Sequence, residues 1–247
     1  MSHIVCRLLP LEAMDGPHNM AADETLLESA VAGVASLRFY TWNPPTLSLG
    51  YFQPHALRLT DPLLTDLPWV RRPSGGAALI HDREVTYALA LPAGRPWQMG
   101  VTWLTRMHQI ILRALAGLAV PSEPFAPATP ERLPFTGLLC FQHFTSGDLM
   151  IGPAKVVGSA QRRQQAALLQ HGGILLGQSA FTPVLPGIRE LSGRQLSVAQ
   201  VVDKVCQEFV TDTGWTLDPA VWTSAQRERM ETIVSAKYGS DRWNRKR

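Results

Sequence analysis

Apolar residues first recur at helical spacing. Met20, Leu27 and Val31 share one stripe, and Asn19 predicts the cap of a helix running to Ala32, with Asp23 and Glu24 near its positive end. The pattern then shortens. Residues 37–42 read as a strand, Asn43-Pro44-Pro45 as a turn, and residues 46–51 as the antiparallel neighbour. Trp69-Val70-Arg71-Arg72 runs into a Pro73-Ser74-Gly75-Gly76 break. Residues 77–80 and 85–91 follow as strands joined by the polar turn His81-Asp82-Arg83-Glu84. A helix is predicted over 102–118, with Leu104, His108, Ile111, Leu115 and Leu118 on one face. Residues 121–135 carry five prolines and predict a loop. Residues 148–151 meet Gly152-Pro153, residues 154–159 return, and residues 168–176 extend that sheet. The last third reads as helical. Ser197 with Gln200 fits a capping box ahead of Val198, Val201, Val202, Val205 and Phe209, and Thr223 with Gln226 fits another. This order predicts an α+β fold with mixed, mostly antiparallel sheets flanked by helices, rather than a regular βαβ winding.

The chain has 247 residues, a length that fits a single domain over 1–247, with a C-terminal helical extension from about 197. With 45% hydrophobic and 17% charged residues it can bury a core and is no disordered polyelectrolyte. A net charge of +3 does not by itself suggest nucleic acid, whose phosphates need a clustered basic face. The basic run Arg242-Trp243-Asn244-Arg245-Lys246-Arg247 reads as a solvated tail, or alternatively as a steering patch for an acidic partner. Cys6, Cys140 and Cys206 are widely spaced with no CxxC pair, so neither a metal site nor a disulfide framework is expected. No signal-peptide pattern and no membrane-length apolar run is present, which predicts a cytoplasmic protein with no membrane partner.

Four segments could carry chemistry. In Arg71-Arg72-Pro73-Ser74-Gly75-Gly76-Ala77-Ala78, the glycines let backbone amides approach an oxygen and the arginines could pair with an anion; the plain alternative is a β-turn with surface arginines. In Lys155-Val156-Val157-Gly158-Ser159-Ala160-Gln161, alternation places Lys155, Val157 and Ser159 on one face, where a lysine is ordinarily solvated. Beside a thiol, the same ammonium would favour the thiolate. Cys140, in Leu138-Leu139-Cys140-Phe141-Gln142-His143, is by composition either a small buried hydrophobe or a nucleophile, with His143 a weak partner for it. His171, in Leu169-Gln170-His171-Gly172-Gly173, is either catalytic or satisfied by a network at a strand end. Walker, dinucleotide, HExxH and GxSxG motifs are absent from the sequence.

Taken in order, Asn19-Met20-Ala21-Ala22-Asp23-Glu24, residues 37–42, residues 47–53, Arg71-Arg72-Pro73-Ser74-Gly75-Gly76, residues 155–163 and Leu169-Gln170-His171-Gly172 resemble the lipoate-protein ligase A type of catalytic domain over about residues 15–210. The resemblance implies the fold of the biotin and lipoate ligase catalytic domains. Cys140-Phe141 ahead of the lysine strand, and His81-Asp82-Arg83-Glu84-Val85-Thr86-Tyr87 after the glycine turn, resemble the cysteine-dependent octanoyltransferase branch.

That branch implies an octanoyl group moved from acyl carrier protein to a lysine of a lipoyl domain, such as the glycine cleavage H protein, through a thioester on Cys140. Lys155 would assist Cys140. Arg71, Arg72, Ser74, Gly75, Gly76, Ala77, Ala78, His81, Val156, Gly158, Ser159, Ala160 and His171 would bind substrate, with Val156, Ala78 and Leu79 as walls of an acyl tunnel. No cofactor is implied, and the protein would act as a monomer. The alternatives are an ATP- and magnesium-dependent lipoate ligase with Cys140 incidental, a lipoyl-domain amidotransferase that keeps Cys140, and a non-catalytic module that holds a lipoylated protein.

Overall fold

The structure is a computed structural model that describes residues 4–98, 100–126 and 139–247. In chain order its strands are β1 (Val5–Leu8), β2 (Glu12–Met14), β3 (Ser36–Trp42), β4 (Thr46–Leu49), β5 (Trp69–Arg71), β6 (Leu79–His81), β7 (Glu84–Leu91), β8 (Glu123–Pro124), β9 (Leu149–Ile151), β10 (Ala154–Gln164), β11 (Ala167–Leu175) and β12 (Thr216–Pro219). The helices are α1 (Gly16–Val31), α2 (Pro62–Thr65), α3 (Trp103–Gly117), α4 (Ile188–Ser192), α5 (Val198–Thr213), α6 (Ser224–Ile233) and α7 (Asp241–Asn244).

The larger sheet runs β12-β1-β3-β7-β11-β10-β9-β8, with β2 also on β3. Its β3-to-β8 portion is antiparallel along that path, and β1, β2 and β12 join in parallel. A second sheet has the order β5-β4-β6. The mixed, mostly antiparallel α+β expectation therefore holds. The proposed hairpin of residues 37–42 with 46–51 does not form. Instead β4 pairs with β5 and β6. All four residues of β4 are buried, so both of its faces need cover. Leu47 and Leu49 supply the core of the small sheet with Leu64, Ala78 and Ile80.

One face of the large sheet packs on α3 and α5 through Leu37, Phe39, Val85, Tyr87 and Leu89 against Met107, Ile110, Ile111, Val201, Val205 and Phe209. Capping by Thr102 and Ser197 starts these two amphipathic helices. The other face packs on α1, which is itself covered by α6. A helix buried on two sides needs small residues, and Ala21, Ala22 and Ala30 supply them. Its cap is Asp15, not Asn19: Asp15 Oδ1 accepts from His18 N at 2.9 Å, and Pro17 fits the first turn. Asn19 lies one turn inside, donating to the Met14 and Thr41 carbonyls.

Most of the predicted proline-rich loop lies outside the described residues; of its described part, Glu123–Pro124 forms β8. The basic tail is docked rather than frayed. Trp243 Nε1 donates to Arg71 O at 2.8 Å, and Asn244 Oδ1 accepts from Arg71 N at 2.9 Å. No helix among the described residues is long and apolar enough to cross a membrane.

Candidate active site

Between the two sheets lies a cavity of about 1100 Å³. Its apolar lining comes from Met20 on α1, Tyr40 and Trp42 on β3, Leu79 on β6, and Phe125, Phe141 and Phe144. Cys140, Lys155, Arg72, Gly75, Gly76, Ala77, His81, Gly158, Ser159, Ala160 and His171 also border it. The sequence reading thus converges on one place from four separate segments.

Lys155 reaches the cavity because β10 is irregular. Its register with β9 shifts between Lys155 and Val157. Val156 and Val157 consequently both enter the α3-side core. Strict alternation would have turned Lys155 the same way. The extra residue returns it to the cavity face, a known use of a β-bulge beside a site. Lys155 is only 5% exposed. Its Nζ pairs with Asp148 Oδ2 at 2.7 Å and donates to His143 O at 3.1 Å. The same Nζ lies 5.5 Å from the centroid of the Phe141 ring. Phe141 lies in the short turn Cys140–Gln142 and His143 caps its end, so the lysine is tied to the segment that carries the thiol.

Cys140 is anchored by its backbone N, which donates to Ala78 O at 2.7 Å. It is half-buried, unlike Cys6, whose thiol pKa is raised by burial and by Cys206. Burial and Asp203 raise Cys206 to about 12. Neither of these two borders the cavity.

Arg72 closes the other side. Its Nη1 donates to Ser48 O and Oγ at 2.8 and 2.6 Å, and its Nη2 to Ala77 O and Gly75 O at 2.8 and 3.3 Å. Those last two bonds fold the turn, and Gly76 takes φ +90° within it, a conformation that favours glycine. Burial lowers the Arg72 pKa from 12.5, and the charge of Cys140 is the foremost influence opposing that shift.

Two imidazole relays brace the same turn. Ser48 Oγ, which accepts from Arg72, meets His81 Nε2 at 2.6 Å, and His81 Nδ1 donates to Glu84 Oε1 at 2.5 Å. Burial lowers the His81 pKa in spite of Glu84. A neutral ring gives one consistent direction: Arg72 to Ser48, Ser48 to His81, His81 to Glu84. Trp42 stacks on His81 with centroids 3.8 Å apart. In the second relay Ser74 Oγ meets His171 Nε2 at 2.5 Å, and His171 Nδ1 donates to Asp23 Oδ2 at 2.9 Å.

Four predicted binding residues fall outside the cavity lining: Arg71, Ser74, Ala78 and Val156. Arg71 is fully buried, donating to the Gly50, Gln53 and Asn244 carbonyls, and so holds backbone rather than an anion. Ser74 acts through His171. Ala78 faces the small-sheet core, and Val156 faces α3. Ser159 borders the cavity, but its hydroxyl turns to the opposite side of the sheet. There it meets His108 Nε2 and Tyr87 OH, both at 2.7 Å. Asp148, Asp23, Glu84 and the aromatic lining escaped the sequence reading. Asp148 had a signal, since it and Lys155 flank the Gly152-Pro153 turn. Glu84 had one too, three residues from His81 across a tight turn, whereas Asp23 and the aromatic lining are joined to the site by tertiary packing. Among the described residues, no cluster of three His, Cys, Asp or Glu side chains is placed to hold a metal ion.

Comparison with known proteins adds to this geometry. Residues 15–210 match the lipoyl protein ligase A/B catalytic domain. The chain is 32% identical over 274 residues to octanoyltransferase LipM of Symbiobacterium thermophilum, covering 96% of this chain and 97% of that protein. It is 33% identical over 261 residues to octanoyltransferase LipM of Geobacillus kaustophilus, covering 93% and 94%. A crystal structure of lipoate-protein ligase A bound with ATP shares the fold with a TM-score of 0.79 at 19% identity, covering 98% of this chain and 99% of that one.

Proposed function

Because the chain belongs to the lipoyl protein ligase A/B catalytic-domain family and is similar along nearly its whole length to octanoyltransferases, we propose that it is an acyltransferase of lipoate biosynthesis that moves an octanoyl group onto lipoyl domains through a thioester on Cys140. The observation that carries this reading is the half-buried Cys140 on an apolar cavity that Lys155 and Arg72 also border.

The donor is octanoyl-acyl carrier protein, and the acceptor is a lysine of a lipoyl domain such as the glycine cleavage H protein. The Cys140 thiolate attacks the thioester carbonyl, and the carrier thiol leaves as the S-acyl bond to Cys140 forms. The acceptor amine then attacks that new thioester, releasing Cys140 and forming the amide. Lys155 and Arg72 both border the cavity that holds Cys140, and the Lys155 ammonium offers a donor to the acyl oxygen as negative charge builds there. Tyr40, Trp42, Phe141 and Phe144 shelter the alkyl chain, each buried methylene contributing about 0.8 kcal/mol. Attack on an existing thioester needs no ATP or magnesium.

Intact-protein mass spectrometry after mixing with octanoyl-acyl carrier protein, without ATP, tests the proposal. One octanoyl adduct is expected, removed by hydroxylamine, discharged by a lipoyl domain and absent from Cys140→Ala. Acylation of the lipoyl domain only when free octanoate or lipoate and magnesium-ATP are supplied would instead make the chain a ligase.

A further inference from the structure

The segment after α6 gathers cations that the transfer chemistry does not use. The Arg247 carbonyl accepts from His55 N at 2.9 Å, and Trp243 and Asn244 bond Arg71, which pins the tail beside the residue 50–55 loop. Lys246 Nζ is thereby held 3.2 Å from the Trp243 ring centroid and 3.5 Å from that of Tyr51. Arg247 stands 5.7 Å from the Phe52 ring. Burial, followed by the like charges of Arg71, Lys237, Arg247 and Arg162, brings the Lys246 pKa down to about 8. Lys237 is paired with Glu24, but among the described residues no Asp or Glu carboxylate comes within ion-pair distance of Lys246, Arg162 or Arg247. Cations held together without an acidic side-chain partner repel one another, and a bound anionic surface relieves that repulsion.

The cluster adjoins the cavity without lining it. Tyr51 N donates to Ser74 O at 2.9 Å, and Phe52 lies over Gly75, where an added Cβ would meet its ring at 3.9 Å. Arg162 is exposed and follows Ala160 by two residues along β10. Gly75 and Ala160 border the cavity, whereas Lys246, Arg247 and Arg162 do not.

We infer that Lys246, Arg247 and Arg162 form the docking surface for an acidic acyl donor, a carrier protein that presents its thioester on a phosphopantetheine arm. The inference rests on the transferase reading above. The acceptor's amine ends a short lysine side chain, so an acceptor must seat directly over Cys140. This cluster is set back behind Tyr51, Phe52 and the Gly75 turn, an offset suited to a partner that delivers its reactive group on a long arm. The arm's own phosphodiester is a further anion for these side chains.

Binding of an amide analogue of octanoyl-acyl carrier protein, which Cys140 cannot discharge, decides the matter. Fluorescence anisotropy would compare the full-length wild type with Arg162→Glu and with Lys246→Glu/Arg247→Glu, at low and raised salt. Each variant is expected to weaken carrier binding by roughly tenfold, with the gap shrinking as salt rises. Acylation of Cys140 by octanoyl-N-acetylcysteamine should stay at the wild-type rate. Arg162→Glu guards against misfolding, since Arg162 holds no part of the tail. Unchanged carrier affinity would overturn the proposal, as would an equal loss with the small thioester or a loss confined to lipoyl-domain affinity. A wild-type chain that binds carrier through these residues yet forms no thioester from either donor would refute the transferase reading and leave the docking surface standing.

Discussion

Gly158 has no side chain, and Lys155 occupies the space this leaves. A Cβ at residue 158 would stand 2.4 Å from Lys155 Cε and 2.8 Å from its Nζ. The obstacle is the far end of a flexible chain, so the lysine yields before the backbone does. Gly158→Ala should therefore shift Lys155 Nζ within the site while leaving it paired with Asp148, at little cost in stability. A displacement of about 1 Å near reacting atoms can cost roughly 10²-fold in rate. A fall of that order in thioester formation, with a melting temperature within a few degrees of wild type, is the expected result. A normal rate would show that Lys155 need not sit where it does. Arg72 is a different kind of residue: with bonds to Ser48, Gly75 and Ala77 it is both a local charge and the clamp on the glycine turn. The sequence marked Arg71 and Arg72 equally. Arg71 ends β5 and Arg72 follows it, and successive residues of extended chain point opposite ways, one to the tail and the other to the cavity.

At the scale of elements, β10 and the segment before β9 act as a unit. Asp148 Oδ2 accepts from Thr145 N and Oγ1 at 2.7 and 2.9 Å while pairing with Lys155. His108 on α3 locks the same unit from behind, donating from Nδ1 to Gly147 O at 2.6 Å and accepting from Ser159. Removing one partner of a buried ion pair leaves the other uncompensated, at a cost of about 3–5 kcal/mol. Asp148→Asn should accordingly lower the melting temperature by roughly 10 °C. Combining Asp148→Leu with Lys155→Met replaces both charges by apolar groups and should recover much of that loss. The double variant should still form no thioester at the wild-type rate, which separates the stability of the unit from its chemistry in paired thermal and mass measurements.

Across the whole molecule, buried neutral histidines link stability to pH. Burial holds the pKa values of His81 and His108 below 6.5. Below about pH 6.5 the unfolded chain takes up protons that these folded rings resist, so their contribution is complete above that pH and is lost as pH falls toward the folded values. Each such proton tilts the balance by about 1.4 kcal/mol per pH unit. The melting temperature should thus hold steady above pH 7 and decline below about 6.5, with a shallower decline in His108→Gln; an identical slope in that variant would remove His108 from the account. This coupling was not legible in the sequence, where His108 appeared only as part of an apolar stripe. What the sequence by itself determined was local: the strands and amphipathic helices, the capping boxes at Ser197 and Thr223, and the ordered segments that resemble a known family and contain Cys140, Lys155, the glycine turn and His171. Period and capping depend on neighbours within a few residues, so they can be read without a fold. Tertiary structure decided the rest. It chose the partners of β4, docked the basic tail on Arg71, joined Asp23 to His171, and placed the bulge that turns Lys155 toward Cys140. Each of these depends on which distant segments share a face, and a register shift of one residue sends a side chain to the other side of the sheet.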